Sequence, residues 1–528
     1  LLTRHAKPQL ALCLAFLTLA GFALRLPLLL RFPLREDEAI YGYWALHALH
    51  VDPMFLHVWP DKPPIFIWAL AAALQLWGQG AETAPAAMRL VNILASTLTI
   101  PLLAVCARRW WGGTAAVGAA LLMALNPFAV SFAPTAYTDA LLVLAGSLAL
   151  TMAAHRRLFW SGIWLGIAIM TKQQGLFFVP LAAAAAFIPP QQGQGSKHKV
   201  RRTPGSALQF VTGVGTVVVP ILFWDSLRWA VAPSPWDLGA TNAGGVAIVP
   251  PAVWPSRADA WGELFFYLLA SPWVWAVYGT VLATGAAAAW RRRAAWTTWA
   301  PVLLLGGWAG GFWLLHVGAS VQVWDRYLLP LVIPLALLGG WAGGEVSGVL
   351  RSHFETRTSS SLRLFGSGRW VGAAVLAAIL LLLGVPAARA AQGGLPVGAD
   401  HGAYTGLDQA LAAVDAPHAL LFHRELGWQA RFALFDSIQA GSVELRYYPS
   451  SVYLADSAAK SPHKERFVIV PDWAPLPDLP MQLAARRLTA HIHLRRGHFT
   501  VYKIEELPVS DASWRVCAPP PFRTYQLR

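Results

Sequence analysis

Charge is what this chain has least of. Only 13% of its 528 residues are Asp, Glu, Lys or Arg, while 56% are hydrophobic; a soluble domain sits nearer roughly a quarter charged. The deficit excludes an ordinary soluble protein and points to a membrane protein. Lysine is scarce: Lys7, Lys62, Lys172, Lys197, Lys199, Lys460, Lys464 and Lys503 are all of them, so each one near a membrane segment requires a reason. Cysteine is nearly absent as well. Cys13 and Cys106 fall inside apolar runs and Cys517 lies near the end, which excludes a disulfide framework. No Asn-X-Ser/Thr sequon occurs, and the first residue is not Met, so the natural N-terminus stays open. The excess of 41 basic over 27 acidic residues, formally +14, would suit nucleic acid if it formed one face. It is broken instead into short clusters between apolar segments, the pattern of membrane-topology signals.

What is present is a series of apolar runs. A span needs about 20 residues, and runs of that order lie near 9–30, 86–107, 113–132, 138–154, 207–224, 262–289, 296–317, 327–345 and 370–388. The first is too long for a signal-peptide core and reads as a retained span. The run 158–189 is interrupted at Thr171-Lys172-Gln173-Gln174-Gly175 and reads as two short spans forming a hairpin. Residues 63–77 are apolar but short and open with Pro63-Pro64. If they rest in the interface, the clusters Arg4/Lys7, Arg108/Arg109, Arg156/Arg157, Lys197/Lys199/Arg201/Arg202, Arg291–Arg293 and Arg351/Arg357/Arg363/Arg369 all face one side, the cytoplasm. If they cross, the first cluster opposes all the others. The interfacial reading gives about eleven spans with the N-terminus cytoplasmic and the C-terminus outside.

Under that topology Glu36, Asp37, Glu38, Asp52, Asp61, Asp139, Asp225, Asp237, Asp259 and Asp325 gather on the outer side. The loop 225–261, rich in Trp and Pro, joins them, with rings suited to the headgroup region. GGWAGG occurs at 306–311 and again at 339–344, offering small faces for close helix packing. From about Ala390 the composition becomes that of a soluble domain. HALLFH (418–423), RFVIVP (466–471), LTAHIHL (488–494) and FTVYKI (499–504) read as strands, with helical stretches at 404–414 and 479–487. The expected fold is therefore an all-α polytopic membrane domain over 1–389, followed by a small α/β or α+β extracytoplasmic domain over 390–528.

Ionisable residues placed at one depth in a membrane protein suggest a site. In PLREDEAIYGYW (33–44) the acids open a short amphipathic helix with Ile40, Tyr41, Trp44, Ala45 and Ala48 on one face, lying on the outer surface. Complementing the helix dipole is the plain explanation of these acids, but it does not cover what else gathers there. Lys62 precedes Pro63-Pro64, where snorkelling is the plain explanation. Arg89 opens the second span and Asp139 the fourth, where a helix-start acid is ordinary. Lys172 sits at the hairpin tip, and Asp325-Arg326-Tyr327 opens LLPLVIPLALL. Fixed cations of this kind stabilise a developing negative charge, and a carboxylate can take a proton from a hydroxyl within hydrogen-bond reach. His491 and His493 share a strand face but lack further ligands for a metal. No DxD pairing supports a divalent ion between Asp37 and Asp139, so no cofactor is expected.

The ordered set DEAIYGYWALHAL, DKPPIFIWALAAALQLWG, Arg89, TDALL, MTKQQGLFFVP and RYLLPLVIPLALLGG resembles the GT-C integral-membrane glycosyltransferases, in particular the protein O-mannosyltransferases and the lipid A aminoarabinose transferases. The resemblance covers roughly residues 9–345. It implies transfer of a sugar from a polyprenyl-phosphate carrier to a lipid, glycan or protein acceptor on the non-cytoplasmic face of a bacterial plasma membrane. It assigns the catalytic carboxylate to Asp37, followed by Glu38, with Asp139 as a further acid. It gives the carrier phosphate to Lys62, and places Arg326 and Tyr327 near the same site; Arg89 and Lys172 join them as substrate-binding candidates. KPP stands here where the mannosyltransferases usually have HPP, which leans toward the bacterial aminoarabinose-like branch or an uncharacterised one and leaves the sugar open. A polytopic lipid or polysaccharide transporter is the alternative from another class, although transporters place charges near the midplane and often carry internal repeats. A carrier-linked glycan polymerase or ligase would share the chemistry on a larger donor.

Overall fold

The computed structural model describes residues 2–80, 83–188, 205–242, 245, 247–357 and 367–507, with side chains from residue 8 onward except over 351–377. The basic cluster Lys197, Lys199, Arg201 and Arg202, together with Arg363, Glu82 and Cys517, lies outside the described residues. Two compact units divide the chain, Leu1–Gly402 and Ala403–Arg528. The change of composition at 389/390 thus precedes the structural boundary. Residues beyond the last long helix belong to the first unit because Gly398 is tied into it: its carbonyl accepts from Arg35 Nη1 at 3.0 Å and its N–H donates to Asp325 Oδ2 at 3.3 Å.

The first unit is helical. In chain order it contains α1 (Leu2–Arg25), α2 (Glu36–His50), α3 (Ile65–Trp77), α4 (Ala84–Trp111), α5 (Gly113–Ala124), α6 (Pro127–Phe132), α7 (Asp139–Ala154), α8 (Leu158–Thr171), α9 (Phe178–Ala185), α10 (Ser206–Ser226), α11 (Pro235–Asn242), α12 (Trp254–Phe266), α13 (Pro272–Arg291), α14 (Trp296–Gly318), α15 (Val332–Arg357) and α16 (Ser367–Ala391). Among the described residues, five helical segments are long and apolar enough to cross a membrane: Pro8–Arg25, Ala84–Trp111, Ser206–Ser226, Trp296–Gly318 and Asp325–Leu350. Shorter apolar helices, such as Gly113–Ala124 and Asp139–Ala154, accompany them. The chain is a multi-pass membrane protein.

Proline explains where the helices depart from the expected runs. The run 113–132 breaks at Asn126-Pro127, where the Asn126 side chain accepts from Ala129 N and caps α6. The run 262–289 is two helices, because Ser271 caps a new helix that begins at Pro272. The run 158–189 breaks at the polar TKQQG interruption into α8 and the shorter α9. Lys172 is extended between α8 and a 3-10 turn over Gln173–Phe177. With 13 residues, α3 is about 20 Å long, short of a hydrocarbon core of about 30 Å.

The expected surface position of α2 is overturned. Glu38, Ala39 and every residue from Tyr41 to His47 are buried, so the helix is enclosed rather than half-exposed. Tyr41 packs edge-on against Phe66 of α3 at 5.6 Å, and small residues Ala39, Gly42 and Ala45 leave room for neighbours on the remaining sides. The two GGWAGG copies also part ways. A Cβ at Gly340 would stand 2.6 Å from the Ala115 carbonyl of α5, so α5 and α15 cross in backbone contact that only glycine permits. Among the described residues, nothing lies within 4 Å of a Cβ placed on Gly306, Gly307, Gly310 or Gly311 of the first copy.

The second unit contains α17 (Leu407–Ala412), β1 (Ala419–His423), α18 (Gly427–Ala433), α19 (Phe435–Gln439), β2 (Val443–Tyr447), α20 (Ser451–Ala459), β3 (Glu465–Pro471), α21 (Leu479–Ala484), β4 (Leu488–Arg496) and β5 (Phe499–Glu506). The sheet order is β2-β1-β3-β5-β4, with β1 parallel to β2 and β3, and β5 antiparallel to β3 and β4. Leu421, Phe467 and Ile469 point to one apolar core, and Leu420, Phe422 and Val468 to the other. Both faces are covered, which makes this an α/β layer. The sequence reading misses β2: VELRY sits on the sheet edge with charged Glu444 and Arg446, a pattern that blunts edges but hides the strand. His493 occupies a bulge, since Ile492 pairs with Tyr502 and Leu494 with Val501. The alternation that put His491 and His493 on one face is broken there.

Candidate active site

The start of α2 sends its neighbouring acids in different directions, because successive helix residues rotate by about 100°. Glu38 turns inward and Asp37 does not. Glu38 is 1% exposed and forms a paired contact with Arg89 of α4, Nε to Oε1 at 2.8 Å and Nη2 to Oε2 at 2.9 Å. The Glu38 carboxylate also accepts the backbone N–H of Arg35 and of Ala136, both at 2.9 Å. Arg89 gives its remaining N–H groups to the carbonyls of Leu29, Phe32 and Pro33. Every donor of the guanidinium is therefore taken, and no N–H of Arg89 is left for a ligand. The sequence expectation that Arg89 touches substrate does not fit this closed geometry.

The same cluster sets the next segment. Ala136 hangs on Glu38, while Asn92 Nδ2 donates to the carbonyls of Thr135 (2.6 Å) and Tyr137 (2.5 Å). These bonds fix Tyr137 and place Asp139 at the first position of α7. Lys172, extended at the break after α8, reaches Asp139 Oδ1 at 2.6 Å. Both side chains are buried, at 4% and 2% exposure. The ammonium also lies 4.2 Å from the Tyr327 ring centre, a cation–π contact.

Arg326, in the 3-10 turn over Asp325–Leu331 that leads into α15, brings its Nη1 onto Asp37 Oδ2. Its guanidinium carbon lies 5.0 Å from the Tyr137 ring centre, with Trp324 and Tyr327 also within 6 Å. The Asp37 side chain is 39% exposed, against 1% for Glu38 and 2% for Asp139. Of the three expected acids, only Asp37 is reachable.

Lys62 stands in the connection between α2 and α3, paired with Asp61 at 2.6 Å. Asp61 Oδ2 also accepts from Asn242 Nδ2 at 3.0 Å, and its backbone carbonyl accepts from Gln173 Nε2 at 2.9 Å. Burial works to raise the Asp61 carboxyl, but the adjacent Lys62 ammonium, helped by Asn242 and by Arg326 farther off, holds it below the usual carboxylate range. The arrangement thus joins Asp37, Lys62, Asp139, Lys172, Arg326 and Tyr327. It adds Tyr137, Asp61 and Gln173, which the sequence reading did not assign. Tyr137 stands two residues before Asp139, and Asp61 directly before Lys62; that adjacency is the only signal they give. Among the described residues, no group of three or more His, Cys, Asp or Glu side chains could hold a metal ion.

Beside this cluster, between the 3-10 turn, α9 and α14, lies an apolar cavity of about 530 Å³ lined by residues including Phe177, Leu303, Trp308, Phe312 and Leu315. Gln174 connects it to the cluster, with its amide nitrogen 3.1 Å from His316 Nε2 and 3.4 Å from the Tyr327 carbonyl.

Residues 61–224 match the family model described as dolichyl-phosphate-mannose-protein mannosyltransferase; Lys62, Asp139 and Lys172 fall inside this segment. Among solved structures, the chain is similar to ArnT from Cupriavidus metallidurans bound to undecaprenyl phosphate, with a TM-score of 0.59 and 17% identity over 94% of this chain and 98% of that chain. The apo state of the same protein gives 0.59 and 18%, with the same coverage. The Archaeoglobus fulgidus oligosaccharyltransferase in the apo form gives a TM-score of 0.50 and 13% identity over 90% of this chain and 72% of that chain. No curated protein matches. The chain has the GT-C glycosyltransferase fold.

Proposed function

We propose that the chain is an inverting glycosyltransferase that moves a sugar from a polyprenyl-phosphate carrier to a lipid, glycan or protein acceptor on the outer face of a bacterial cell membrane. The observation that carries this is the meeting of Asp37 and Arg326, residues 289 positions apart, in one half-open ion pair beside Tyr327, Lys172 and Asp139. In this reading the acceptor oxygen attacks the anomeric carbon, and the bond from that carbon to the phosphate oxygen breaks. The electron pair leaves on the phosphate, and Asp37 takes the acceptor proton. One displacement inverts the anomeric centre. Arg326 and Lys62 hold the phosphate and stabilise its growing charge, Tyr327 shapes the same wall, and the first isoprene units rest in the apolar cavity. Lys172 keeps a positive field in place, anchored by Asp139. The reading calls for no cofactor. The Cupriavidus relative, solved with undecaprenyl phosphate, supports the choice of carrier.

Glu38 and Arg89 act here as positioning residues that aim α2 and the 135–139 segment. Breaking a buried pair costs about 3–5 kcal/mol, so Arg89→Met is expected to lower the unfolding temperature in detergent sharply. Arg89→Met protein that keeps wild-type stability but loses carrier binding would return Arg89 to the substrate.

The orientation has its own check. A cysteine at Gly80, between α3 and α4, is expected to react with an impermeant maleimide in intact cells. Reaction only after permeabilisation would turn the site to the cytoplasm. For the function itself, mass spectrometry of envelope lipids and proteins with and without the gene is expected to show one sugar-bearing species lost on deletion; an unchanged profile would contradict the proposal.

A further inference from the structure

We propose that Asp61 is a lock on Lys62: it neutralises the phosphate-binding lysine in the empty site and must be displaced when the carrier phosphate arrives. This rests on the transferase reading above. The site holds its charges in pairs, Arg326 with Asp37, Lys172 with Asp139 and Lys62 with Asp61. A phosphate added to this balanced set meets no unpaired cation among these six residues, so it competes with a carboxylate for whichever cation it takes.

The three pairs differ in what opening them would cost. Asp139 and Lys172 are buried, with Lys172 further held on the Tyr327 ring; separating them leaves two charges out of water. Asp37 is the reachable acid at the reaction centre. Asp61 differs from both. It lies in the connection over 51–64, which forms neither helix nor strand, and it has a second partner ready. Asn242 already donates to the same Oδ2 that Lys62 holds, so the carboxylate keeps a hydrogen bond when the lysine leaves. Gln173 pins only the Asp61 backbone, through its carbonyl, and reaches the Pro235 carbonyl as well. The backbone stays fixed while the side chain exchanges partners. At 13% and 17% exposure the pair is less enclosed than Lys172–Asp139, at 4% and 2%, though less open than Arg326–Asp37, so the waiting Asn242 is what distinguishes it.

The lock makes opposite expectations for two substitutions. Asp61→Asn keeps shape but removes the competing charge, so undecaprenyl phosphate is expected to bind about fivefold tighter. Asn242→Ala removes the waiting partner, so binding is expected to weaken. Both effects are expected to vanish when Lys62 is also replaced by Ala. The measurement is undecaprenyl phosphate binding to full-length protein in nanodiscs, with thermal unfolding on the same samples to confirm folding. Unchanged or weaker binding in Asp61→Asn, while Lys62→Ala still weakens binding, would overturn the lock and leave the transferase reading standing. Wild-type protein that shows no Lys62-dependent binding would overturn the phosphate role of Lys62, and the lock with it.

Discussion

Asp37→Asn is expected to slow sugar transfer by roughly 10²–10⁴-fold, the usual contribution of a general base, while leaving the fold in place and carrier binding no weaker than in the wild type. Asparagine keeps the size and one acceptor oxygen of Asp37 but cannot take a proton from the incoming hydroxyl. The neighbouring acids cannot substitute in the geometry seen: Glu38 is closed by Arg89, Arg35 and Ala136, and Asp139 is buried against Lys172. Glu36, exposed in the same helical turn, supplies the control, and Glu36→Gln is expected to stay near wild type. If Asp37 served only the helix dipole, Asp37→Asn would cost about 0.3–1 kcal/mol of stability with activity nearly intact. Single-turnover transfer in nanodiscs, alongside carrier affinity on the same preparation, separates the two outcomes.

Arg326→Met is expected to reduce transfer by about 10²–10³-fold, the range seen when a preorganised donor to developing charge is removed, and to weaken carrier binding as well. The loss has two sources. The phosphate loses a cation, and Asp37 loses the partner that orients it. Because both residues act on one event, Arg326→Met combined with Asp37→Asn is expected to cost less than the product of the single losses. Arg326→Lys is expected to recover only part of the activity, since a compact ammonium does not reproduce a planar guanidinium lying among Tyr137, Trp324 and Tyr327. Full activity in Arg326→Lys would mean that charge alone matters there.

Much of this architecture is legible in the sequence, for stated physical reasons. The apolar runs and the extended break at Lys172 follow from hydropathy and from the polar TKQQG interruption, and four of the five strands follow from short apolar or alternating runs such as HALLFH, RFVIVP and FTVYKI. Helix ends at Asn126 and Ser271 were also readable, each being a cap residue before proline, yet length alone drew continuous spans across them. The burial of α2 was not legible, because AIYGYWALHALH becomes enclosed only through tertiary packing, α3 among its neighbours. At the site, residue identity was easier to read than role. Asp37 and Glu38 are adjacent in sequence and chemically alike; only the partner each one meets, Arg326 or Arg89, tells the reachable acid from the buried one. Nothing local in the sequence announces those partners.

The most direct test uses purified protein in proteoliposomes with an undecaprenyl-phosphate-linked sugar and an acceptor lipid, following both halves of the donor. One free undecaprenyl phosphate is expected for each sugar transferred, with the new glycosidic bond inverted relative to the donor by NMR, and both products lost in Asp37→Asn. Movement of the intact sugar-linked carrier across the bilayer, with its sugar–phosphate bond unbroken, would contradict the account and make the protein a transporter.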